Sequence, residues 1–233
     1  MSTSSLKFEH NAVSSYYEYP PKSAWNTEWT SEILRVICYI HECVSENLKL
    51  GNEFCNKKIV CLDIETTDII SRAKEGYMNI MGLAVLDLRP QSQDYKKLTV
   101  FQAFNMLRKR DLAPELLNLS SQYIADCDVV IVFNQSFDIP IIKKISSDFN
   151  IPYNIPSTII DIQDDFYSVR RLEQFMSTAG FILRELTEKG KYSEYYAKFK
   201  GDSKGKDKQI EPIGIYNLMD VLSVLFYALH FRK

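Results

Sequence analysis

The chain has 233 residues, 45% of them hydrophobic and 25% charged, with a formal net charge of -2. These values fit one main soluble globular domain with ample core, and they exclude a global basic field, so any affinity for nucleic acid must come from local patches. No apolar run approaches membrane-spanning length, and the polar opening MSTSSLKFEHN lacks the apolar stretch of a signal peptide, so an intracellular, cytoplasmic protein with no membrane partner is expected.

Residues 1 to about 30 are polar and aromatic around YPPK and read as a tail or wrapping arm. From Ser31, the residues Ile33, Val36, Ile37, Ile40 and Val44 recur at helical spacing, which predicts a helix packing on the main domain. The five cysteines, Cys38, Cys43, Cys55, Cys61 and Cys127, form no C-x-x-C pair and are expected as reduced thiols. Within CYIHEC, Cys38 and Cys43 would lie about 140° apart around a helix, a poor zinc site. The expected organisation is an N-terminal arm and helix over 1–56 and a main domain over 57–233.

The main domain opens with strand candidates at 57–64, 79–88 (NIMGLAVLDL) and 98–104 (LTVFQAF), close enough together for an antiparallel meander. A helix is predicted over 112–125, then a strand at 128–133 (DVVIVF), a helix from about Ile139 to Phe149 and a short strand at 157–161 (STIID). The remainder reads as mainly helical, interrupted by a basic loop, KGDSKGKDK, at 200–208. This order predicts an α/β fold, a mixed sheet of about five strands flanked by helices.

The first strand is almost wholly apolar, yet it ends in two carboxylates. Side chains alternate along a strand, so Ile59, Cys61, Asp63 and Glu65 share one face and Val60, Leu62 and Ile64 the other. Two anions that close, at the edge of an apolar core, raise each other's proton affinity unless a cation compensates them. A divalent metal would do so, since hard cations choose carboxylate oxygens; a strand fraying into a solvated acidic turn is the alternative. Asp138 follows the strand DVVIVF at the start of a helix, where ligand sites of α/β sheets gather, although it also suits an N-cap. Asp220 lies one turn after Tyr216 on a helix with a broad apolar surface.

Three segments in this order, CLDIETT, FNQSFDIP and YNLMD, resemble the DEDD superfamily of 3′ to 5′ exonucleases, in the form with tyrosine in the third motif. The resemblance covers roughly residues 57–231 and is nearest to stand-alone relatives of the proofreading domain of family B DNA polymerases. One departure is Asp68, where the family usually has glycine. The resemblance implies a ribonuclease-H-like fold, here with the added N-terminal helix. It implies two divalent cations, Mg2+ or Mn2+, bridged by Asp63, with Glu65 and Asp220 completing the first site and Asp138 holding the second.

The activity so implied is stepwise hydrolysis of single-stranded DNA or RNA from its 3′ end, releasing nucleoside 5′-monophosphates. Tyr216, with an ordinary pKa of about 10, would orient the attacking water. Thr66, Asn134 and Phe137 would meet the substrate. The segment KGKYSEYYAKFKGDSKGKDK mixes lysines, Lys200 and Lys204 among them, with tyrosines and a phenylalanine, which suits a single strand and equally suits a solvated loop. Recruitment to a replication or repair protein, as in DNA repair, is left open, as is a catalytically silent binding module of the same fold.

Overall fold

The computed structural model describes residues 5–10, 13–18, 26–31, 34–42, 52–66, 78–105, 110–165, 217, 220–225 and 227–229. Strands β1 (Ser5–His10) and β2 (Val13–Glu18) pair antiparallel as a separate two-stranded ribbon. The elements that follow are β3 (Asn26–Ser31), β4 (Leu34–Glu42), β5 (Lys58–Thr66), β6 (Met78–Asp87), β7 (Lys97–Asn105), helix α1 (Ala113–Ile124), β8 (Val129–Val132), helix α2 (Gln135–Asp148) and β9 (Ile159–Asp161). Strands β3 to β9 form one sheet in the order β3-β4-β7-β6-β5-β8-β9.

The five strands predicted for the main domain are β5 to β9, and they make the expected mixed sheet. β5, β6 and β7 run as an antiparallel meander, because the short connections between them allow hairpin pairing. β8 and β9 add parallel on the other side of β5, each reached through helical chain. β5 thus lies between an antiparallel and a parallel neighbour, inside the sheet. This explains its apolar run: a strand covered on both faces has no solvent side on which to place polar residues.

Within the segment expected as a helix from Ser31, the described residues Leu34–Glu42 form a strand, β4, instead. β4 pairs antiparallel with β7 along its whole length, from Leu34 opposite Asn105 to Glu42 opposite Lys97. Its sequence LRVICYIHE is rich in β-branched and aromatic residues, which favour a pleated strand. The unbroken apolar run Val36–Ile40 satisfies helical spacing and strand alternation alike, so periodicity does not separate the two. The free edge of β7 offers a row of backbone donors and acceptors, and β4 satisfies them. β3 then pairs antiparallel with β4 and extends the sheet to seven strands.

The alternation within β5 decides which side each group faces. Val60, Leu62 and Ile64 join the main core, together with Met81, Leu83 and Val85 of β6, Leu116 and Leu117 of α1, and Ile139, Ile142 and Ile145 of α2. The other face is covered by the C-terminal helical residues 220–225 and 227–229, all of them buried. Val221 sits against Gly82 of β6 from that side. Covered from both sides, β6 is buried at every residue. The acidic face of β5 therefore looks toward the helical segment that carries Asp220.

Candidate metal centre

Asp63 and Glu65 project from the end of β5 on the face opposite Val60, Leu62 and Ile64, as the alternation requires, and both are half-buried. Asp220 reaches them from the C-terminal helical segment, with only 6% of its surface exposed. One carboxylate oxygen from each of the three lies within 4.8 Å of the other two. Residues more than 150 positions apart thus converge, because the segment bearing Asp220 covers the acidic face of β5.

Asp138 comes from the other side of the strand end. Helix α2 begins at Gln135, four residues earlier than its predicted start near Ile139, and its N-cap is Asn134 in the left-handed conformation (φ 71°, ψ 70°). Asp138 is therefore within the first turn and does not cap the helix. It is 2% exposed, and its Oδ1 accepts a hydrogen bond from the backbone N–H of Ile64 at 3.3 Å. Pro140 lies inside the helix, where it cannot donate to the carbonyl four residues back.

The open N–H groups at the start of α2 are satisfied by a residue that sequence reasoning missed. The carboxylate of Asp161, the last residue of β9, accepts from the backbone N–H of Asn134 at 2.8 Å and of Gln135 at 2.6 Å, and from that of Gln163 at 2.9 Å. An anion at a helix N-terminus is favourable through both hydrogen bonds and the helix dipole. The only signal available in the sequence was an acid ending the short strand STIID.

A second such residue is Asn217, which lies between Tyr216 and Asp220 in the third motif. Its Nδ2 donates to Oδ2 of Asp63 at 2.6 Å, and its Oδ1 accepts from Nε2 of Gln102 at 3.0 Å. Nothing in the sequence pattern separates it from a packing position.

The electrostatics follow from this crowding. Burial pushes the Asp63 carboxyl well above the usual carboxylate range, the charges of Glu65, Asp138 and Asp220 push it further, and the Asn217 hydrogen bond opposes them. Burial likewise raises Asp138, with the Ile64 amide opposing and the Asp161 charge adding. Cys61, one strand repeat before Asp63, is fully buried, and burial together with the Asp63 charge holds it as a thiol.

This donor set fits hard divalent cations. The groups are carboxylates, and oxygens sharing an ion with bonds of about 2.1 Å lie up to about 4.2 Å apart, close to the 4.8 Å limit within which the three oxygens fall. Asp63, Glu65 and Asp220 are the residues that would hold such an ion, with Asp138 beside them.

Of the expected substrate contacts, Thr66 ends β5 half-buried, where the pairing shifts from Glu65 opposite Ile80 to Thr66 opposite Met78. This bulge re-aims the strand beside the acids. Asn134 occupies the cap of α2, and Phe137 is half-buried against the main core. Tyr216, Lys200, Lys204 and Asp68 lie outside the described residues. No described helix is long and apolar enough to cross a membrane.

Comparison with known families matches residues 60–227 to the family model RNase_H_2, described as RNase_H superfamily. A comparison with curated proteins found no match.

Proposed function

This chain belongs to the ribonuclease H superfamily, and we propose that within it the chain is a metal-dependent 3′ to 5′ exonuclease of the tyrosine-bearing DEDD type. The substrate is single-stranded DNA or RNA and the product a nucleoside 5′-monophosphate. One observation carries the reading. The oxygens of Asp63, Glu65 and Asp220 lie within 4.8 Å of one another, with buried Asp138 adjoining, an arrangement that is costly without compensating positive charge.

Bound divalent cations would supply that charge, and with it the means to activate water and stabilise the leaving 3′ oxygen of a phosphodiester. The chain's own groups do the rest. Asp63, Glu65, Asp138 and Asp220 set the position of the charge, held by β5, α2 and the C-terminal segment. Tyr216, four residues before Asp220, orients the attacking water through its hydroxyl. Thr66, Asn134 and Phe137 meet the terminal nucleotides. Lys200 and Lys204, in the lysine-aromatic segment, hold the phosphates of the strand, with neighbouring aromatic rings stacking on bases.

The test is digestion of 5′-labelled single-stranded DNA and RNA, each with a free or a blocked 3′ end, in magnesium or manganese. A descending ladder on the free end, absent from the blocked strand and from Asp63→Ala, is the expected result. Internal cuts in the blocked strand would indicate an endonuclease instead. Binding without cleavage would indicate a silent module.

A further inference from the structure

We propose that Gln102, Gly82 and Asn217 form a positioning relay that fixes the carboxylate of Asp63. The inference rests on the reading of Asp63 as a cation ligand. Its starting point is the sheet register. Asp63 of β5 stands opposite Gly82 of β6, and Gly82 stands opposite Gln102 of β7. Directly paired residues project on the same face, so the three form one row across the sheet. Asp63 and Gln102 are two strand spacings apart, about 9.5 Å, too far for direct contact.

Asn217 spans that gap. It arrives from the helical segment above the row, donates to Asp63 and accepts from Gln102. It can lie there because position 82 has no side chain. A Cβ at Gly82 would fall 2.1 Å from Oδ1 and 2.9 Å from Cγ of Asn217. Neither of those atoms is the far end of a long flexible chain, so the amide would have to leave.

The chemistry gives the relay one direction. An ionised carboxylate only accepts, so Asn217 must turn its NH2 toward Asp63 and its carbonyl toward Gln102, which must then present its own NH2. Asn217 is 0% and Gln102 2% exposed, so water does not compete for these groups. An amide nitrogen is no ligand for a hard cation. Asn217 therefore acts through Asp63, holding one carboxylate oxygen and the plane of the group, as outer partners of metal ligands do.

The experiment compares wild type, Asn217→Ala, Gly82→Ala and the double variant, measuring Mn2+ affinity by calorimetry and the metal-free melting temperature. Asn217→Ala should lose ~10- to 100-fold in Mn2+ affinity. Gly82→Ala should lose a comparable amount, although every polar group of the relay is still present. In the double variant the methyl introduced at position 82 occupies space vacated by the Asn217 amide. Its metal-free melting temperature should return toward wild type while its Mn2+ affinity stays low.

That split separates positioning from packing, and the double variant serves even where a single variant fails to fold. Wild-type affinity in Asn217→Ala, in Gly82→Ala or in the double variant would overturn the relay while leaving the metal reading intact. A wild-type protein that bound no Mn2+ would overturn the metal reading and this inference with it.

Discussion

The backbone N–H of Ile64 donates to Oδ1 of Asp138 across 74 positions of the chain. Ile64 is the residue between Asp63 and Glu65, so this bond ties the start of α2 to the strand end that bears two of the other three acids. Asp138→Asn keeps the shape and an oxygen acceptor for Ile64, and removes the charge by putting an NH2 in place of one carboxylate oxygen. We expect this variant to fold, with a metal-free melting temperature at or above wild type because one repulsive charge is gone. Cleavage should fall at least ~100-fold, in line with the loss of a few kcal/mol of charge-dependent stabilisation. Cleavage at the wild-type rate would remove Asp138 from the chemistry.

Asp63 makes stability depend on pH in a particular sense. Its carboxyl is raised by burial and by Glu65, Asp138 and Asp220. An acid raised in the folded state binds its proton more tightly there than in the unfolded chain. The folded state is then progressively disfavoured as pH rises from the unfolded value of about 3.9 through the folded value. Metal-free wild type should accordingly melt at lower temperature as pH is raised from about 5 to about 8, and Asp63→Asn should lose much of that dependence. Millimolar Mn2+ should raise the wild-type melting temperature at neutral pH by mass action and flatten the profile. Asp63→Ala should show little such rise. Thermal melts with and without the ion read both effects.

Tyr216→Phe keeps the ring and removes the hydroxyl. It should fold and bind Mn2+ and single strands as wild type does, because coordination is left to the carboxylates. Turnover should fall at least ~10-fold, at or below the weak end of positioned acid-base contributions, with the loss in the chemical step. Single-turnover cleavage at saturating enzyme measures that step, and an unchanged rate would take Tyr216 out of the site.

Away from the acids, Arg89 closes the end of β6 on Asp87. Its Nη2 reaches Oδ2 at 2.7 Å, while its Nε and backbone N–H both donate to Oδ1 at 3.0 Å. Burial alone would raise Asp87, but these bonds prevail and hold it at about 2. A carboxyl lowered in the folded state contributes stability above its unfolded value of about 3.9, and that contribution is lost as pH falls toward 2. Arg89→Met should thus cost roughly 2 kcal/mol at neutral pH, and the difference from wild type should narrow below about pH 4. Urea denaturation at pH 7 and pH 3 tests it. An equal penalty at both would mean that Arg89 acts through packing alone.

How much of this was legible in the chain depends on the range of the interaction involved. Alternation along VCLDIET places Asp63 and Glu65 on one face by local geometry, and the five strands of the main domain follow from local apolar patterning in the same way. An acid amid the apolar surface of YNLMDVLSVL marks Asp220 for the same reason. The segment LRVICYIHE fits helix and strand periods equally, and the open edge of β7 decides for a strand. The start of α2 is set at Gln135 by Asp161, whose carboxylate meets its first N–H groups from a strand 26 residues away. The row from Asp63 through Gly82 to Gln102, with Asn217 across it, exists only once three strands are in register and a segment 154 positions from Asp63 lies over them. Local periodicity determines which way a side chain points, but only tertiary packing determines what it meets there.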